Sequence, residues 1–188
     1  MRNSESLLDL LERISALRVA YCGLVHERVA FENGIAKRRL RETGMEPGVV
    51  RVGLCTARVR ASQLSCAHTL ARHKFGRIID DAARERVLGA EEATGLAAEL
   101  ERVSHRIHMT DWAKSEAEKA YAVLLESSVD DMDTVMQRRL TDARFQLDGL
   151  VRQHAECSNV LAEMHALLLA RVNKALQDIG MSCTNSKS

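Results

Sequence analysis

The chain has 188 residues, of which 46% are apolar, 28% charged and only 3% aromatic, with one proline and a formal net charge of +1. That balance excludes a largely disordered chain, and the length suffices for a helical domain with a core of its own. Ala, Leu, Glu and Arg recur throughout while strand and turn residues are scarce, so the expected class is all-α.

A first helix is predicted from Ser4 or Ser6, either of which can cap it, to about Thr43. Leu7, Leu10, Ile14, Leu17, Tyr21, Leu24, Phe31 and Ile35 keep the spacing of a heptad seam, which Arg28 alone interrupts. A charge at a seam position pairs or reaches for the edge, and it can fix register; an ion-pair role is expected for Arg28. Thr43-Gly44-Met45-Glu46-Pro47-Gly48 is the clearest helix stop in the chain.

A second helix is predicted from about Val49, with Leu54, Ala61, His68, Phe75 and Ala82 on one seam position and Ala57, Leu64, Ala71 and Ile78 on the other. Gly89 and Gly95 mark either a turn or a kink, and the pattern leaves both open. A stripe of Leu96, Leu100, Val103, Ile107, Ala117, Tyr121 and Leu124 follows, after which Ser127 to Asp131 offer capping oxygens for another helix. That last helix carries Met136, Leu140, Ala143, Leu147, Leu150, His154, Cys157, Leu161, Met164, Leu168 and Ala175 on its seam and ends near Gly180. The expected architecture is a single domain over residues 1–180, an elongated antiparallel bundle of three to four coiled-coil-like helices, with a disordered tail at 181–188. Long seams of this kind are commonly completed by dimerisation, and Leu10, Leu17, Leu24, Arg28, Phe31, Leu147, Leu161 and Leu168 are the expected core or dimer contacts.

The small net charge hides a segregation. Residues 1–89 hold 16 Lys/Arg against 10 Asp/Glu, residues 90–188 hold 11 against 16, and residues 37–77 hold ten against two. A local field of that strength suits an anionic partner surface. The five cysteines are odd in number and lack a CxxC pair, so they read as reduced small apolar residues, with Cys55 and Cys66 assigned to a core. With an amphipathic N-terminal stretch no secretory leader is expected, and no run free of charge approaches the length of a membrane span. A cytoplasmic protein, peripheral to a membrane or associated with the cytoskeleton, is therefore expected.

His68 and His154 occupy seam positions and read as buried neutral histidines. His105 and His108 share a helix face but lack further ligands nearby in sequence, so no metal is assigned. Phosphate-cradling glycine loops, Gly-x-Ser-x-Gly and His-Glu-x-x-His are absent from the sequence; neither an enzyme nor a cofactor is expected.

Glu27-Arg28-Val29-x-Phe31-Glu32-x-x-Ile35-Ala36-Lys37 resembles the signature that closes the first helical segment of F-BAR domains, with Ile35 where that family usually has tyrosine. Gln63 to Ala71 is similar to the family's second helix around its histidine, so the resemblance covers about residues 5–80. It implies an antiparallel, crescent-shaped homodimer whose basic face lies on anionic phospholipid, and Lys37 falls on the motif lysine. From charge alone, Arg38, Arg41, Arg58, Arg60, Arg72, Lys74 and Arg77 join Lys37 as lipid-binding candidates. The competing expectation is a coiled-coil subunit of a cytoskeletal, tethering or trafficking complex, paired with other helical chains. Nucleic acid is not an expected partner, because the basic stretch lacks interleaved aromatics.

Overall fold

The computed structural model describes residues 4–42, 45, 47–127 and 133–180. Four helices account for nearly all of them: α1 (Ser4–Arg39), α2 (Pro47–Arg84), α3 (Ala90–Ser127) and α4 (Thr134–Asp178). No strand occurs among the described residues, so the protein is all-α. At 36, 38, 38 and 45 residues, each helix is three to four times the ordinary three-turn length. None is long and apolar enough to cross a membrane.

Local chemistry sets the ends. Pro47 opens α2, where its missing N–H would have no helical partner in any case. The interval that the sequence left open between turn and kink is a turn: α2 closes at Arg84 and α3 starts at Ala90. The closing residues form a Schellman motif, with Val87 N–H donating to the Ala82 carbonyl at 2.9 Å and Arg86 N–H to that of Ala83 at 3.0 Å. Arg86 takes the left-handed φ of 56° that glycine usually fills, which is why the sequence signal pointed past it to Gly89. Gly95 lies inside α3, and Gly180 ends α4 with a φ of 77°. The oxygen that caps α4 is Asp133 Oδ1, accepting from Met136 N–H at 2.7 Å. The capping residues expected at 128–131, like Thr43, Gly44, Glu46 and the tail at 181–188, lie outside the described residues.

The described residues form two compact units, each drawing a segment from all four helices. The first comprises 4–23, 68–104 and 158–180. Leu7, Leu10, Ile14 and Leu17 of α1 are buried there with Ile78, Ile79 and Ala82 of α2, Leu100 and Val103 of α3, and Leu161, Leu168, Val172 and Leu176 of α4. Tyr21 meets His68 edge-on at 5.6 Å and His165 at 5.4 Å between centroids, while Phe75 stacks on His165 at 4.0 Å. Burial, aided by the Arg18 charge, lowers the His165 pKa, which keeps that imidazole neutral inside. At the surface of this unit Arg13 pairs with Asp81 at 2.7 Å and Arg171 with Glu92 at 2.5 Å.

The second unit comprises 24–42, 45, 47–67, 105–127 and 133–157. Its apolar cluster is smaller: Val50, Ala117, Tyr121, Leu125, Leu140 and Leu147, with Leu54, Leu124, Met136, Ala143 and Leu150 packed against it. Leu24 and Phe31 are only half-buried. Thus Leu10, Leu17, Leu147, Leu161 and Leu168 are core residues of one chain, and a dimer cannot use these side chains without opening a unit.

Candidate functional site

On α1 the heptad that places Ile14 and Tyr21 inward continues to Arg28, and the same face carries Glu32 and Arg39. On α3 it carries Asp111, Lys114 and Glu118. These six meet in the interior of the second unit. Arg28 donates through Nη2 to Asp111 at 2.5 Å and through Nη1 at 3.5 Å, and Ser65 Oγ of α2 donates to the same carboxylate at 2.9 Å. Glu32 lies 3.7 Å from Arg28 and accepts from Lys114, whose Nζ is 3.9 Å from Glu118. Arg39 closes the chain by donating to Glu118 at 3.1 Å. Paired positions rise together on both helices, so these segments of α1 and α3 run in the same direction. Three cations face three carboxylates, and none of the six side chains is more than 18% exposed.

Burial by itself would raise the Asp111 pKa. The Arg28 hydrogen bond and charge, with smaller help from His154 and Ser65, outweigh it and hold the carboxyl below its ordinary range. Beyond the six, Tyr121 donates to the Arg39 carbonyl at 3.2 Å, and Arg144 donates to that oxygen at 3.1 Å. Arg38 reaches Glu42, whose side chain is 1% exposed, at 2.7 Å.

Above this interior the outer surface of α2 is apolar along its crest. Val52 is 70% and Val59 55% exposed, and the exposed Cys55 and Cys66 fall on the same line at helical spacing. Arg51 and Arg58 flank one side of that crest and Arg60 the other. Arg51 pairs with Glu126 of α3 at 2.8 Å and Arg60 with Glu27 of α1. From Pro47 to Ile79 the helix contains six Lys/Arg and neither Asp nor Glu.

A cavity of about 340 Å³ opens between α2 and α3 beside the crest. Arg28, Asp111 and Lys114 line its depth, while Arg58, Ser62, His108 and Trp112 stand toward its mouth, the indole 59% exposed.

No family model, curated protein or solved structure matches the chain.

The sequence-based lipid candidates separate by position. Lys37, Arg41, Arg58 and Arg60 are exposed in the second unit, and Arg38 is half-exposed there against Glu42. Lys74 and Arg77 are exposed in the first unit. Arg72 corrects the expectation, because it is 9% exposed and donates to Thr69 Oγ1 at 3.0 Å, so it belongs to the packing of its unit rather than to a basic surface. Cys55 and Cys66 correct it in the opposite sense: among the described cysteines the buried one is Cys157, whose thiol pKa burial pushes up, while these two face out. Sequence reasoning marked Arg28 but missed Asp111, Lys114 and Glu118. The signal was available as a gap in the α3 stripe, which runs from Ile107 to Ala117 with Thr110 and Lys114 on the intervening seam positions.

Proposed function

We propose that the protein is a non-catalytic, membrane-docking helical module, with the crest of α2 in the second unit lying on an anionic phospholipid surface. The observation that carries this reading is the conjunction on one helix of exposed Val52 and Val59 with flanking arginines and no carboxylate from Pro47 to Ile79. Such a face can enter the headgroup boundary while its guanidinium groups meet lipid phosphates. Each Lys or Arg near an anionic leaflet contributes about 1 kcal/mol. Arg51 and Arg60 already have carboxylate partners, so Lys37, Arg41 and Arg58 carry most of this attraction. About 3 kcal/mol from charge, plus partial burial of two valines, gives weak and reversible binding that salt abolishes. The resemblance of residues 27–37 to an F-BAR segment points the same way. A homodimer would double every contact and raise avidity, using a surface other than the buried seams.

One observation favours a second reading. Val52, Val59 and Cys66 are spaced by seven, as on a coiled-coil face, and an acidic helix of a tethering or cytoskeletal complex would cover them as well. Co-sedimentation with vesicles of phosphatidylcholine alone or mixed with phosphatidylserine separates the two. Binding to the anionic vesicles only, lost in Val59→Glu and in Arg58→Glu at unchanged helical content, is the expected result. Protein that stays in the supernatant at low salt would rule the membrane reading out and leave the helical partner.

A further inference from the structure

The cavity beside the crest has spent donors and unspent ones, and the difference defines what it can hold. Its carboxylates are occupied: Asp111 accepts from Arg28 and Ser65, and Glu118 accepts from Arg39 with Lys114 nearby. Arg28, Arg39 and Lys114 balance Glu32, Asp111 and Glu118, so the interior asks for neither a cation nor an anion. What remains at the walls is of one kind. Arg58, His108, Ser62 and Ser115 line the cavity without a hydrogen bond or ion pair to any described residue. A guanidinium, an imidazole and two hydroxyls can together donate to several oxygens of one group, and no unspent carboxylate opposes them. Trp112 supplies a flat, half-exposed wall beside them, suited to the carbon skeleton that bears the group.

We infer that this cavity binds a phosphate monoester, with Arg58 as its charged partner and Trp112 against the ester's carbon skeleton. The ester is either a small soluble metabolite or the headgroup of a lipid. The second source rests on the membrane reading above, while the cavity itself does not. A terminal phosphate fits better than a carboxylate because its three free oxygens match a donor set spread over two helices, and about 340 Å³ lies within the range of small-ligand pockets.

Trp112 is the only tryptophan in the chain, so its fluorescence reports on this wall directly. The intact chain is titrated with glycerol phosphate at constant ionic strength, then with vesicles containing phosphatidic acid, a monoester lipid, or phosphatidylglycerol, a diester lipid, at mole fractions that give the two equal surface charge. The expected result is a saturable change with glycerol phosphate, weakened about tenfold or more in Arg58→Glu and unaltered in Arg139→Glu, which makes the same charge change outside the cavity. Phosphatidic acid should then act at lower lipid concentration than phosphatidylglycerol if the ester is a headgroup. A response to glycerol phosphate without vesicle binding would keep the cavity, assign it a soluble ester and sink the membrane reading. Vesicle binding that does not distinguish the two lipids, with Trp112 silent toward glycerol phosphate, would overturn the cavity and leave the membrane reading intact. Equal weakening in Arg58→Glu and Arg139→Glu would overturn it too, since net charge alone would then be responsible.

Discussion

One heptad separates Tyr21 from Arg28 on α1, and the two residues occupy the same inward position in different units. Around Tyr21 the first unit places Phe75, His68 and His165 in ring contact, with aliphatic residues above and below. Around Arg28 the second unit places Asp111, Glu32 and Lys114, and it keeps its apolar cluster further along toward Leu147. An apolar interior tolerates many rearrangements that keep volume, because dispersion and burial have no direction. A buried chain of three cations and three carboxylates tolerates few, since any slip in register leaves a charge without its partner in a poorly solvated place. The second unit therefore gives up hydrophobic stabilisation and acquires a fixed alignment of α1 with α3, beneath the α2 face for which membrane docking is proposed.

The sharpest way to break this comparison is Lys114→Met. It leaves Glu32 and Glu118 without their ammonium partner and should destabilise the protein by about 3–5 kcal/mol in urea unfolding. Glu32→Leu combined with Lys114→Met removes one charge of each sign and should recover most of the loss, because the Arg28–Asp111 and Arg39–Glu118 pairs survive. A single variant that costs under about 1 kcal/mol would mean that the network is solvated and the contrast between the units is superficial.

Acid should separate the units by window. The His165 pKa is lowered from its ordinary 6.5, so its neutral form contributes stability that is complete above that pH and is lost as pH falls through the lower folded value. The Asp111 pKa is lowered from 3.8, so its contribution is complete above that pH and disappears only as pH falls below it. Unfolding midpoints measured down the pH scale should fall first through the His165 window, and His165→Phe should remove that first step. A first step that persists in the variant would reassign it to another group. The smallest effect is expected at Ser65→Ala, which deletes one of the hydrogen bonds to Asp111 and should cost about 1–2 kcal/mol. A neutral outcome there would show that water entering from the cavity replaces the hydroxyl.

The seams of α1 and α4 were legible because a 3.5-residue repeat of Leu and Ile is a one-dimensional signal: Leu7, Leu10, Ile14 and Leu17 are all buried as their spacing requires. Even the interruption at Arg28 could be read as a pair in need of a partner. Which partner could not be read, for Asp111 lies 83 residues away and looks like any surface acid in its own helix. The burial of Arg72 was hidden for the same reason. Its neighbours Lys74 and Arg77 share its composition, and only the packing of the unit decides which of the three points inward. The turn after Arg84 escaped because an arginine adopts the left-handed conformation that glycine normally signals.

The sequence by itself determined that the chain is helical, where its apolar faces run and that its positive charge concentrates between Lys37 and Arg77, because helix propensity, periodicity and net charge are sums over local residues. Tertiary structure alone decided which charges are neutralised inside, which valines and cysteines are left on the crest of α2, and that a cavity opens beside Trp112. Those outcomes depend on which segments meet, and the desolvation of a charge or the exposure of a side chain has no value until its neighbours from distant parts of the chain are in place.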